Sequence, residues 1–478
     1  MVLKFRIGLL LLLVFSFSKT LAQVCTGSLG NPIVDIDFGK GLSSIGSSIS
    51  ETSYLFKDGT PGDGEYTIVK TTAGLNVGWH QNIVSRKSND NDGYFMVVNA
   101  DYVKGVFYEK VINVCPNTTY AFAAYLINIL RNPSNDTIRP NIKFTIEYNS
   151  NTISILTGDI SESNATNWIQ YGTLFTTPPG TSSVRLKMTN ENPGGNGNDL
   201  AIDDITFSPC GPVITPSIDG EESTKICEGQ TQSFQLSATV SSGYTAPKYQ
   251  WQELNDNIWT NITGKTSLNT NVQIKNAVSG TYQYRLFVTE DGNVGSINCG
   301  VFSAPILVNV IDNAKADAGE DKKILAGQPV ALNGKATGDG TLTYAWNPTT
   351  YLDDPSKLNP IATPPTDITY TLTVTSACNV TTDEVFVKVY PKIEIPNAFS
   401  PNSDGVNDTW NVSAAIAFPN PQLKIFNRNG QILYESKGAF KPWDGKFNGH
   451  DLPVAAYYYT LFLNEDFKPF TGWILLTR

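Results

Sequence analysis

Beyond its first 22 residues the chain never sustains the 3.6-residue repeat of an amphipathic helix. It is written instead in short alternating runs. Asn141-Ile-Lys-Phe-Thr-Ile-Glu-Tyr148 alternates polar and apolar residues with period two, as does Val385-Phe-Val-Lys-Val389. Successive side chains of a strand point to opposite faces, so a run of this kind buries one face and wets the other. Clusters of Gly, Pro, Asn and Asp interrupt the runs at short intervals and supply the turns between them. The expected fold class is therefore all-β, built as tandem β-sandwich domains. A chain of 478 residues, at roughly 150 residues per domain, should hold three or four such units.

The first residues read as a secretory signal. Lys4 and Arg6 make a positive start, Ile7 to Phe17 is apolar, and Thr20-Leu21-Ala22 offers small residues for cleavage after Ala22. The apolar run has 11 residues, too few for a bilayer span of about 20. Cys25 follows Ala22-Gln23-Val24, which lacks the small residue a lipoprotein signal wants before its cysteine. No later segment is long and apolar enough to be a transmembrane span. The formal charge is −10; removing Lys4, Arg6 and Lys19 with the signal takes it to −13. An acidic chain without a basic block is a poor partner for nucleic acid or an anionic membrane surface.

Residues 23–213 open with Asp35-Ile-Asp-Phe-Gly39 and close with Asn198-Asp-Leu-Ala-Ile-Asp-Asp-Ile-Thr-Phe207. This arrangement resembles the jelly-roll domains of carbohydrate-binding modules, whose first and last strands lie side by side. It also resembles an N-terminal domain of large secreted Bacteroidetes proteins, on Cys25-Thr-Gly-Ser-Leu-Gly30, Gly93-Tyr-Phe-Met-Val-Val-Asn99 and Met188-Thr-Asn-Glu-Asn-Pro-Gly-Gly195. Two cysteines of that family, near Gly62 and Asn196, are missing, which leaves Cys25, Cys115 and Cys210. A Cys25–Cys210 bridge would join the ends of the domain and leave Cys115 unpaired.

Residues 214–312 carry Cys227, Trp251 and Cys299 in the order of an immunoglobulin core, with Ser279-Gly-Thr-Tyr-Gln-Tyr284 ahead of the second cysteine. That order implies an Ig-like domain with a Cys227–Cys299 bridge. Residues 313–391 resemble the polycystic-kidney-disease (PKD) type of sandwich, on Ala316-Asp-Ala-Gly-Glu-Asp321, Gly327-Gln-Pro-Val-Ala-Leu-Asn333 and Tyr344-Ala-Trp346. Its one cysteine, Cys378, has no local partner and is expected to be a lone thiol.

Residues 392–478 carry the most specific pattern. Pro396, Asn397, Phe399, Ser400, Pro401, Asn402, Asp404, Gly405, Asn407 and Asp408 are followed at family spacing by Trp443, Asp444 and Gly445. The block resembles the gliding-motility-associated C-terminal domain, the type B sorting domain of the type IX secretion system. It departs from the family only at Ser403, usually Gly, and Asn429, often Trp. The resemblance implies export by the type IX machinery to the cell surface and an outer-membrane partner of the PorP/SprF kind. Asn429-Gly430 is a strong turn signal between Leu423-Lys-Ile-Phe426 and Ile432-Leu-Tyr434.

Catalysis has little to draw on. The two histidines, His80 and His450, fall in different domains, and no phosphate-loop spacing occurs. Asp203 and Asp204 are adjacent on an expected strand and should point to opposite faces, unlike a glycosidase pair. A non-enzymatic, adhesin-like protein is expected. Its rivals are a polysaccharide-degrading enzyme or accessory subunit, and a structural filament component without ligand. Asp35, Asp37, Asp203 and Asp204 match the place where jelly-roll modules often hold a structural calcium ion, the only cofactor expected. Asn402–Asp408 suggests an Asx turn rather than a calcium loop. For a glycan ligand, Trp79, Tyr94, Tyr102, Tyr108 and Trp168 are the candidate stacking rings.

Overall fold

The structure, a computed structural model, describes residues 24–87, 92–131, 137–162 and 167–478. The secretory signal assigned to residues 1–22 lies outside the described residues. Among those described, no helix is long and apolar enough to cross a membrane. Among the described residues the regular structure is nearly all strand, with two short 3-10 turns. It divides into two compact units. One comprises residues up to Thr224 with Gln232–Ile274 and Thr281–Asn309; the other comprises Lys225–Thr231, Lys275–Gly280 and Val310–Arg478.

In the first unit, residues 24–211 form a two-sheet jelly roll. One sheet has the spatial order Ile169–Thr176, Thr119–Asn128, Asp199–Gly211, Phe95–Asn99, Glu65–Val69, Leu55–Phe56. Its N-terminal strands Ser28–Leu29 and Val34–Ile36 also pair with Asp199–Gly211, so the first and last strands are neighbours. The other sheet runs Val106–Asn113, Ser183–Asn190, Ile142–Tyr148, Asn151–Leu156. The alternation in Ile142–Tyr148 points Ile142, Phe144 and Ile146 inward to meet Phe122, Leu126, Ile202 and Phe207. Each such side chain removed from water contributes about 1.5–3 kcal/mol.

The strand Asp199–Gly211 is buried along almost its whole length. The sandwich core covers its inner face. On the outer face, Trp79 and Ile83 pack over Phe95, Val97, Ile127, Ile129 and Ala201 as a second small core. The segment carrying Trp79 and Ile83 thus covers part of the outer face and leaves the rest open.

The Ig-like block packs a sheet of Ile214–Ile218, Gln232–Val240 and Thr270–Ile274 against one containing Gly280–Glu290, Pro247–Asn255 and Ile258–Asn261. Trp251 is fully buried and donates from Nε1 to the Ser267 carbonyl at 2.9 Å. The expected Cys227–Cys299 bridge is corrected. The strand leading from Ser279 does pair with the Trp251 strand, but Leu286, not a cysteine, stands opposite Trp251. Cys299 comes later, in the turn Ile297–Cys299, and bonds Cys115 across 184 residues of sequence (Cα–Cα 5.7 Å). Cys227 bonds Cys378 (Cα–Cα 5.5 Å), so neither Cys115 nor Cys378 is a lone thiol. Cys25 and Cys210 are bonded at the neighbouring ends of the jelly roll (Cα–Cα 5.9 Å).

In the second unit, the block at residues 313–391 pairs Lys322–Leu325, Val380–Tyr390, Ile368–Thr375 and Thr343–Asn347 in one sheet around buried Trp346. The C-terminal block is a five-stranded sheet of order Ala398–Phe399, Phe470–Leu476, Ala455–Phe462, Gln422–Phe426, Ile432–Lys437. The two blocks share packing: Leu325 joins the C-terminal core, and Tyr390 stacks on Phe418 at 4.8 Å. Lys323 pairs with Asp466 at 3.0 Å beside them.

Candidate functional site

The uncovered part of the jelly roll's outer face is a groove of about 310 Å³. Alternation along Thr119–Asn128 builds its floor. Tyr120, Phe122 and Ala124 face the core, which leaves Ala121, Ala123 and Tyr125 facing out. Register then sets three cross-strand rows: Gln170–Tyr125–Asp203, Gly172–Ala123–Thr206 and Leu174–Ala121–Ser208. The middle row is made of small residues. Gly172 cannot be larger, because a Cβ there would lie 2.1 Å from the Phe122 carbonyl oxygen. A shallow floor of small residues results, walled by Arg86, Lys87, Asp35 and Asp204 on one side and by the N-terminal residues Val24, Leu29 and Pro32 on the other.

A β-bulge shapes the charged wall. Pairing with Thr119–Asn128 shifts between Asp203 and Thr206, and Asp204 takes φ +46°, a left-handed conformation that Asp tolerates better than most residues. The bulge corrects the expectation that Asp203 and Asp204 face opposite ways, because both reach the segment 85–87. Asp203 accepts from Ser85 Oγ and the Arg86 N–H, both at 2.9 Å, and its other oxygen accepts from the Asp204 N–H at 2.9 Å. Asp204 is paired with the Arg86 guanidinium and lies 3.5 Å from Lys87 Nζ. Lys87 also pairs with Asp37 at 3.3 Å, and Arg86 lies over the Tyr125 ring at 4.1 Å.

These acids do not fit a calcium ion. Calcium takes six to eight oxygen ligands, and here a guanidinium and an ammonium occupy the space between the carboxylates. Asp35 is exposed and Asp203 is enclosed by its own donors. Among the described residues no group of three or more acidic, His or Cys side chains is placed to share a metal.

Three of the five expected stacking rings, Trp79, Tyr94 and Tyr108, are corrected because they are interior, and Trp168 is half-buried against the outer-face core. Trp79 is 1% exposed and donates from Nε1 to Asp199 at 2.8 Å. Tyr94 and Tyr108 are buried in the sandwich core. Trp168 packs edge-on against Phe95 and donates to the Val84 carbonyl at 3.0 Å. Tyr102 alone is exposed, and it does not line the groove. Sequence reasoning missed Arg86, Tyr125 and Gln170. The small-residue stripe Ala121, Ala123 between core aromatics was the available signal.

The pattern residues of the C-terminal domain are engaged internally. Phe399 and Trp443 are buried, together with Trp410, which lies outside the pattern. The backbones of Trp410 and Trp443 bond each other in both directions, at 2.8 and 3.1 Å. Asp408 accepts from the Ser403 N–H at 2.6 Å and the Gly405 N–H at 2.8 Å; Asp404 accepts from the Val406 N–H at 2.7 Å. That last bond, first, and the Asn402 amide hold the Asp404 carboxyl below its ordinary range. Residues 402–408 therefore form nested Asx turns. Gly445, at φ +76°, sits where a Cβ would meet Leu476, Pro401 and Phe399.

Comparison with known proteins gives two family matches. Residues 393–476 match the CHU_C type IX secretion signal domain. The C-terminal domain is a type IX secretion signal. A protein carrying one is marked for secretion. Residues 217–311 match a domain of unknown function, DUF8696. No curated protein matches. Among solved structures, Dpr2 Ig1-Ig2 in complex with DIP-Theta Ig1-Ig3 shares 13% identity over 55% of this chain and 98% of that one, with a TM-score of 0.26. The CBM22-1 xylan-binding domain from Paenibacillus barcinonensis Xyn10C shares 10% identity over 38% of this chain and 97% of its own, with a TM-score of 0.21. A family 16 carbohydrate-binding module shares 19% over 24% and 75%, with a TM-score of 0.17.

Proposed function

We propose that this is a non-enzymatic, adhesin-like protein of the cell surface, delivered by the type IX machinery and making its outward contact through the jelly roll. The secretion signal at residues 393–476 is the observation that carries the reading. In this reading a PorP/SprF-like outer-membrane protein receives the C-terminal domain. The Ig-like and PKD-like blocks act as spacers, and the groove over Ala123 and Thr206 holds a glycan. The groove suits that ligand because its floor is made of small side chains, and amide, hydroxyl and charged groups of Gln170, Thr206, Ser208, Arg86 and Asp204 surround it. It offers recognition rather than hydrolysis: Asp204 is tied to two cations, and Asp203 does not line it.

Two measurements test this. Deleting residues 393–478 should abolish appearance at the surface or in the medium; undiminished export of the truncated chain would refute the sorting assignment. On a glycan array the intact chain should bind a defined subset of sugars. Arg86→Ala with Tyr125→Ala should lower that binding at least tenfold. No binding to any glycan by the intact chain would leave the jelly roll without its proposed ligand class.

A further inference from the structure

The residues that identify the C-terminal domain are mostly occupied in holding it together: Phe399 and Trp443 lie inside it, and the carboxylates of its first loop are satisfied by the loop's own backbone. Whatever reads the folded signal must touch something else. The outward face of the five-stranded sheet offers it. Direct cross-strand partners share a face, and register aligns Trp473 with Tyr458, Tyr458 with Phe426, and Phe426 with Ile432. One apolar ladder therefore crosses four strands. Trp473 is 55% exposed, Tyr458 48% and Ile432 44%, with Leu475 beside them at 37%. The opposite face is taken up by the domain core that includes Leu325 of the preceding block.

We infer that this ladder is the surface by which a protein component of the type IX export machinery grips the domain, through an apolar contact centred on Trp473 and Tyr458. The inference rests on the export reading and specifies where it acts. Two further observations choose the occupant. Residues 392–478 contain eight basic and eight acidic side chains in a chain whose net charge is −10. A domain without net charge gives a receptor no overall charge to select, and the charges nearest the ladder, Lys424, Lys437 and Glu435, pair with one another, so recognition falls to apolar contact. The area decides between a receptor and a second copy. The ladder's exposed rings and aliphatic ends offer on the order of 400 Å², about half of the ~800 Å² per partner of a stable interface. That suits a cargo held briefly and released. Aromatic anchors such as Trp and Tyr carry much of the affinity in contacts of this kind.

The test uses the full chain in exporting cells. Trp473→Thr with Tyr458→Thr keeps strand-forming residues on an exposed face, so the purified variant should melt within about 3 °C of the parent. Its surface and medium fractions should fall at least tenfold, with the chain retained in the periplasm. Val380→Thr, an equally exposed apolar site in the PKD-like block, should export normally. A photo-crosslinking amino acid at position 473, and as a control at 380, gives a second readout that does not depend on removing the rings. An adduct with an identified type IX component from 473 and not 380 supports the inference. An adduct with a second copy of this chain overturns it, as does the absence of any adduct from 473 while export proceeds. Normal export of the double variant alongside a retained 393–478 deletion overturns the ladder and leaves the export reading standing. Export of the deletion itself removes that reading.

Discussion

Asp199 and Asp203 sit on the innermost strand of the jelly roll, and burial pushes their carboxyls up, to about 7 and about 6. For Asp199 a hydrogen bond from Trp79 works in the opposite direction and is outweighed. A carboxyl whose folded value lies above its unfolded one favours the protonated fold. Its contribution is greatest below about pH 4, declines as pH rises toward 7, and is fully lost above that. Asp199→Asn retains an oxygen to accept from Trp79 Nε1 and removes the buried charge. We expect it to raise stability at pH 8 by on the order of 2 kcal/mol, with no gain at pH 4. Thermal melts of the two proteins across pH 4–8 check this; parallel curves would show that Asp199 is not the titrating group. The sequence showed Trp79 as an aromatic near a histidine and Asp199 as one acid among many. Whether a ring faces a sugar or an aspartate depends on the fold of the 70–87 segment, and no local pattern encodes that.

At the scale of elements the legible part was periodicity. The alternation in residues 141–148 and 385–389, and the Asn429-Gly430 turn, correspond to strands and a hairpin, with Gly430 at φ +80°. The neighbouring first and last strands of the jelly roll were also readable, since resemblance carried them. The bulge at Asp203–Thr206 was not, because it breaks the alternation by which strands are recognised. Nor was the displacement of Cys299 from the strand facing Trp251 into the turn after it. Register also makes a prediction about Gly172. Its position between Phe122 O and the Ala123 backbone (2.1 and 2.8 Å from a built Cβ) leaves room for hydrogen only. Gly172→Val should therefore force apart Ile169–Thr176 and Thr119–Asn128 and cost more than about 2 kcal/mol. Urea titration followed by circular dichroism would measure it; a midpoint unchanged from the parent would mean the strands are not in this register.

Across the whole molecule, the cysteines divide the chain differently from its sequence blocks. Reading each block alone gave one internal bridge in the Ig-like block and unpaired thiols either side of it. The structure bonds Cys115 to Cys299 and Cys227 to Cys378, so each pair joins one block to the next. Within the first unit the Cys115–Cys299 link is reinforced by Asn293, which donates to the Pro116 carbonyl at 2.9 Å and bonds Thr118 Oγ1 at 3.0 Å. A cross-link spanning 184 residues restricts the unfolded chain strongly, by on the order of 4–5 kcal/mol in the loop-entropy view. In an oxidising environment such pairs persist and tie successive blocks covalently. The consequence is measurable in fragments. Thiol titration of the denatured full chain, without its signal, should find no free cysteine. The fragment 24–213 should show one, 313–391 one, and 214–312 two, since the partners of Cys227 and Cys299 lie in the neighbouring blocks. Non-reducing peptide mapping of the intact protein should recover the pairs 25–210, 115–299 and 227–378. A fragment 214–312 that oxidises to a stable, thiol-free immunoglobulin domain would restore the bridge its sequence order suggested and remove the ties between blocks.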